Sequence, residues 1–176
     1  MAHVVFLRGV NVGGHRVFRP SQLVAQLPAL RLVNIGAAGT FVVRQRVGQA
    51  ELRRALARRL PFATEIVICT AAQVRAFLAA DPFADHPARL GEARFVSVLG
   101  RSPTISPLLP MEFRHGRRWL VKLLAQRGRF VTGVYRRDPR TIGLLGRVDD
   151  VFDVPVTTRN WNTFALIAAA LDAAAP

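Results

Sequence analysis

Two short segments, one near each end of the chain, set an arginine beside amide side chains and glycine or threonine, residue types that can hold an anion. The first is Arg8-Gly9-Val10-Asn11-Val12-Gly13-Gly14. It follows an apolar run, so its backbone N–H groups can form a concave nest next to a cationic side chain. The second, Thr157-Thr158-Arg159-Asn160-Trp161-Asn162-Thr163, stands where a last helix should begin, and there free N–H groups and the helix dipole favour negative charge. Together they nominate Arg8, Asn11, Gly13, Gly14, Arg159, Asn160, Asn162 and Thr163 as ligand-binding residues for a phosphate or carboxylate. Neither the dinucleotide spacing GxGxxG nor the P-loop spacing GxxxxGK[ST] is present. Each segment also has a purely structural reading. The glycines can serve a tight connection at positive φ, and the second segment can be a buried polar network with Arg159 paired to a carboxylate and Trp161 in the core.

A third group of residues has another chemistry. Arg114, Arg117, Arg118, Lys122, Arg127, Arg129, Arg136, Arg137 and Arg140 are interleaved with Trp119, Phe130 and Tyr135, as in proteins that bind single-stranded nucleic acid. The stretch Arg127 to Tyr135 departs from the RNA-recognition signature, because Arg129 stands where its first stacking aromatic belongs. The aromatics are therefore expected to face the core, and nucleic acid is a disfavoured partner. His3, His15, His86 and His115 lack metal-ligand spacing, so no metal or cofactor is expected. Asp149, Asp150 and Asp153 are read as salt-bridge partners of nearby arginines. No catalytic carboxylate pair or Ser-His-Asp set is legible, so catalytic residues are unknown and the chain is not assigned as an enzyme. Cys69, the only cysteine, lies in the apolar run Glu65 to Cys69 and reads as a plain core residue.

These segments need elements to position them. His3 to Leu7 reads as a strand, followed by a helix with Ser21 as N-cap and closed by Pro28. Leu30 to Ile35 and Thr40 to Arg44 read as strands around Gly36-Ala37-Ala38-Gly39. Leu52, Leu56 and Leu60 repeat at helical spacing in Gln49 to Leu60, with Arg53, Arg54 and Arg58 on a solvated face. Glu65 to Cys69 is a fourth strand. The order β-α-β-β-α-β predicts a ferredoxin-like N-terminal half. A helix over Ala71 to Ala80 leads to a proline-containing linker. Beyond it the sequence predicts a strand at Ala93 to Leu99 and a hairpin of Trp119 to Ala125 with Phe130 to Tyr135. A helix over Ile142 to Phe152, an extended Val154 to Thr157 and a last helix over Trp161 to Ala174 follow. The expected organisation is a first α+β half over 1–80, a linker over 81–92, and a less regular α+β half over 93–176.

Composition narrows the class. With 176 residues, 51% of them hydrophobic, the chain can bury a core and order itself. The start of the sequence lacks a secretory pattern and the apolar run Phe164 to Leu171 is too short to span a bilayer, so a cytoplasmic protein with no membrane partner is expected. Lys122 is the only lysine among 25 basic residues, leaving 24 arginines, and the net charge is +14. Arginine in place of lysine reflects either selection of its planar, phosphate-matching fork or, as the leading account, codon drift. Drift does not account for the shortage of carboxylates, which keeps a small anionic ligand in view. The oligomeric state is not encoded in any feature of the sequence.

With these residues in view, the chain resembles the bacterial family known as domain of unknown function 1697. The likeness rests on Leu7 to Gly14, on Thr157 to Thr163 and, more weakly, on Asp81-Pro82-Phe83. The resemblance implies an α+β fold and supplies no activity. The family usually has Ser-Gly-Asn where Ala38-Gly39-Thr40 stands, a lysine at Val17, and a Glu-Lys pair near Asp149-Asp150; Arg8, Asn11, Arg159, Asn160, Asn162 and Thr163 survive the comparison. The leading expectation is an anion-binding α+β protein. An enzyme acting on an acidic or phosphorylated metabolite is the first alternative, and a nucleic-acid-binding module using the arginine-rich surface is the second.

Overall fold

In the computed structural model, which describes residues 2–11 and 17–173, β1 (His3–Leu7) is buried along its whole length. Alternate residues of a strand face opposite sides, so a strand buried at every position is covered on both. It lies between β3 (Thr40–Val43) and β4 (Ile66–Thr70), antiparallel to each, and β2 (Leu32–Asn34) pairs with β3, giving the sheet order β2-β3-β1-β4. On one face Val5, Leu7, Phe41, Val43, Ile66 and Ile68 pack with Leu23 of α1 (Pro20–Gln26) and with Leu52 and Leu56 of α2 (Gln49–Ala57). Burying each such side chain contributes about 1.5–3 kcal/mol.

Strand β4 passes straight into α3 (Ala71–Ala79) because Thr70 and Gln73 form a reciprocal cap. The Gln73 backbone N–H donates to Thr70 Oγ1 at 3.1 Å, and the Thr70 N–H donates to Gln73 Oε1 at 2.9 Å.

A second sheet contains β5 (Glu92–Leu99), β6 (Met111–His115), β7 (Arg118–Arg127), β8 (Phe130–Arg136) and β9 (Val156–Asn160) in the order β6-β7-β8-β5-β9, all paired antiparallel. Phe95, Leu99, Val121, Leu123 and Val131 on one face pack with Val148 and Phe152 of α5 (Val148–Phe152), which follows α4 (Thr141–Gly146). Phe95 sits opposite Gly133. A Cβ on Gly133 would clash with the edge of the Phe95 ring and lie 2.7 Å from the Lys122 carbonyl oxygen, so this strand position has room for glycine alone.

The chain divides into two compact units, 1–78 with 162–176, and 79–161. The last helix, α6 (Trp161–Asp172), groups from Asn162 onward with the first unit. Phe164 explains why: its ring stacks on Phe6 of β1 at 5.9 Å and meets Phe77 of α3 edge-on at 5.7 Å. Arg75 adds a hydrogen bond to the Leu171 carbonyl at 2.7 Å.

Several local expectations change. Ser21 is not the N-cap of α1; Arg19 holds that position without a side-chain bond, and Pro20 begins the helix because a missing N–H costs nothing in the first turn. The single helix over Ile142 to Phe152 is two short ones, α4 and α5, which meet at Arg147. Extension at the end of the second unit begins later and runs on to Asn160. Strand β6 was hidden in the sequence by Pro110 just before it, although Met111-Glu112-Phe113-Arg114-His115 alternates apolar and polar.

Candidate functional site

Arg8 is exposed directly after the last residue of β1. Its main chain is fixed on both sides: the Leu7 N–H donates to the Gly39 carbonyl at 2.8 Å, the Arg8 N–H to the Glu65 carbonyl at 3.0 Å, and Thr64 Oγ1 donates to the Arg8 carbonyl at 2.5 Å. Gly9 (φ 63°) and Asn11 (φ 56°) then take left-handed conformations, which glycine and asparagine adopt most readily.

The Asn11 side chain acts as a clamp. Its Nδ2 donates to the Phe18 carbonyl at 2.9 Å and the Ala37 carbonyl at 2.7 Å, and its Oδ1 accepts the Phe18 N–H at 2.8 Å. The loop bearing Arg8 is thereby tied to the turn between β2 and β3. Among the described residues, neither Gly9 nor Asn11 uses its backbone N–H in a hydrogen bond. Gly39 (φ 69°) makes the approach possible, since a Cβ there would lie 2.6 Å from Val10 Cγ2 and 2.9 Å from Leu7 Cβ. Gly13 and Gly14 lie outside the described residues.

The second segment begins as strand β9 and ends on the first turn of α6, without an intervening loop. Thr157 and Arg159 are buried, Arg159 with only 6% of its surface exposed. Arg159 Nη1 donates to Thr157 Oγ1 at 2.8 Å and to the Thr158 carbonyl at 2.9 Å. Burial disfavours its charged form and lowers the guanidinium pKa to about 10, so it stays charged at neutral pH. Thr158 bonds the Ser97 hydroxyl across the ladder at 2.7 Å. Asn160 and Asn162 are exposed and Thr163 is half-buried, while Trp161 is half-buried with its ring 4.9 Å from that of Phe83. Arg8 and Asn11 belong to the first unit, as do Asn162 and Thr163; Arg159 and Asn160 belong to the second.

The basic hairpin is organised by carboxylates in β5 and β6. Glu112 accepts from Arg114 at 2.7 Å and Lys122 at 2.8 Å, and its pKa is lowered by those bonds, that from Lys122 foremost. Lys122 and Arg136 lie 4.9 and 3.9 Å from the Trp119 ring centre, and Arg136 approaches Glu92 at 4.0 Å. Phe130 is buried and Tyr135 packs on the core. Reasoning from sequence named the cations and missed their partners, because Glu112 sits in the unforeseen β6. Cys69 is buried. Among the described residues no cluster of three His, Cys, Asp or Glu side chains could hold a metal ion, and no helix is long and apolar enough to cross a membrane.

The fold is thus a mixed α+β architecture of two antiparallel sheets with helices. A family model described as "Protein of unknown function (DUF1697)" matches residues 1–112, and the chain belongs to this family. The match contains the Arg8 loop and ends before β9. A similar solved structure is that of conserved bacterial protein SP0830 from Streptococcus pneumoniae, 16% identical, with a TM-score of 0.62 over 94% of this chain and 96% of that one. That likeness concerns the fold. No curated protein matches the chain.

Proposed function

We propose that the protein binds a small anion, a phosphate or carboxylate, at the Arg8 loop. The observation that carries this reading is an exposed arginine beside two left-handed residues whose N–H groups have no acceptor among the described residues, on a loop that Asn11 holds in place. Preorganised donors lower the cost of binding, because the loop need not be ordered by the ligand. In this reading Arg8 contacts the anion and Asn11 positions the loop. Arg159, buried and donating to Thr157 Oγ1 and the Thr158 carbonyl, is read as a structural group of the second unit. The first unit is read as a ferredoxin-like half, an assignment supported by its element order and by the strand order β2-β3-β1-β4.

The test is thermal unfolding of the full chain against phosphate, pyrophosphate and a library of acidic metabolites. A ligand at 100 times its Kd for the loop should add about 2.7 kcal/mol, and Arg8→Ala should remove that contribution, leaving only what any other site supplies. If Arg8→Ala responds to every anion as the parent does, the loop is not the site. Binding only to oligonucleotides, falling steeply with salt, would favour the nucleic-acid alternative instead.

A further inference from the structure

One end of the second sheet gathers the start of β5, the start of β7 and the end of β8. A cleft of about 390 Å³ opens there, lined by Gly91, Glu92, Ala93, Arg118 and Arg137. That is a size small ligands occupy. Its charge follows from the partners of each group. Glu92, the only acid of the lining, has a side chain 10% exposed and faces His86 at 3.4 Å and Arg136 at 4.0 Å. Arg136 is in turn held over Trp119 at 3.9 Å.

Arg118 and Arg137 are different. Both are exposed, and among the described residues neither guanidinium has an ion-pair or hydrogen-bond partner. Two such forks on one cleft match the oxygens of a phosphoryl dianion, which can accept from each bidentately. Gly91, at φ 80° with open space where a Cβ would stand, leaves the main chain accessible to a ligand.

We infer that this cleft binds the phosphoryl group of a small phosphorylated molecule through Arg118 and Arg137, a site separate from the Arg8 loop. A nucleic-acid strand is the poorer occupant. Base stacking needs an aromatic face, and Trp119, next to Arg118, already carries Arg136 and Lys122.

Calorimetric titration of the full chain with pyrophosphate at low ionic strength tests the site in an Arg8→Ala background, so that failure of the loop and failure of the cleft are told apart. Saturable binding should persist in Arg8→Ala and weaken by at least about tenfold when Arg118→Gln and Arg137→Gln are added. The melting temperature of the triple variant should match that of Arg8→Ala, since both added positions are exposed. Undiminished binding in the triple variant, or no saturable heat in Arg8→Ala at millimolar pyrophosphate, overturns the assignment. An oligonucleotide that binds through the same two arginines more tightly than pyrophosphate overturns it as well, in favour of a nucleic-acid groove.

Discussion

Arg8 and Arg159 sit in segments of similar chemistry, each an arginine next to asparagine and backbone donors, yet one lies in solvent and the other is almost wholly buried. The difference comes from strand alternation. Arg159 falls within β9 on the same side as Thr157, so its guanidinium must bond inside the protein, whereas Arg8 follows the end of β1 and is free of the sheet's two-sided burial. Residue type therefore nominates an anion site, and position relative to the strand end separates a surface contact from a group with a structural load.

The comparison breaks most visibly at Arg159. Arg159→Ala should destabilise the protein by roughly 2–4 kcal/mol, through a cavity and the loss of a donor to Thr157 Oγ1 and the Thr158 carbonyl. Arg159→Met, which keeps the volume, should recover much of that loss, because a buried charge is often no better than an apolar isostere. Urea unfolding measures both, and a loss below about 0.5 kcal/mol for Arg159→Ala would remove the structural reading.

Asn11→Ala should come next, at about 2–3 kcal/mol, since three hydrogen bonds vanish and alanine disfavours φ 56°. Anion-dependent stabilisation should fall with it. Asn11→Gly, which tolerates the backbone but lacks the clamp, should regain part of the stability and none of the binding. Recovery of both by glycine would show that the amide is dispensable.

A smaller effect concerns His3, another buried polar group. Burial foremost lowers its pKa, and its Nδ1 has no hydrogen-bond partner among the described residues. The unfolded imidazole takes up a proton near pH 6.5 while the folded one stays neutral to lower pH. Stability should therefore decline as pH falls below that value, and His3→Leu should flatten the decline. An identical slope in the variant, measured by urea unfolding between about pH 7.5 and 5.5, would assign the pH dependence elsewhere.

The smallest effect on stability belongs to Arg8. Arg8→Ala should change the unfolding free energy by no more than about 0.5 kcal/mol, as an exposed side chain, while removing the loop's share of the response to anions. A large loss of stability would place Arg8 in the same structural class as Arg159 and erase the contrast.

The elements of the first unit were legible because their signals are local: β-branched runs for β1 and β4, and leucines every four residues for α2. The grouping of α6 with β1 was not, because the Phe6–Phe164 stack joins residues far apart in sequence, and periodicity within a window carries no such information. At the candidate site the residue types were legible and their burial was not. Asn11 reads as a ligand donor in the sequence, and only the positions of the Phe18 and Ala37 carbonyls reveal that its amide is engaged. Arg159 needed the register against Val96 to be known before its side could be assigned.

The Asn11 clamp has a consequence for motion. Its three bonds share one side chain, so the Phe18 amide proton, held by Oδ1, can exchange with solvent only when that clasp opens. Deuterium uptake at Phe18 thus becomes a clock for the Arg8 loop. An anion seated on the loop should slow it in proportion to occupancy, while amides in α5, in the other unit, keep their own pace.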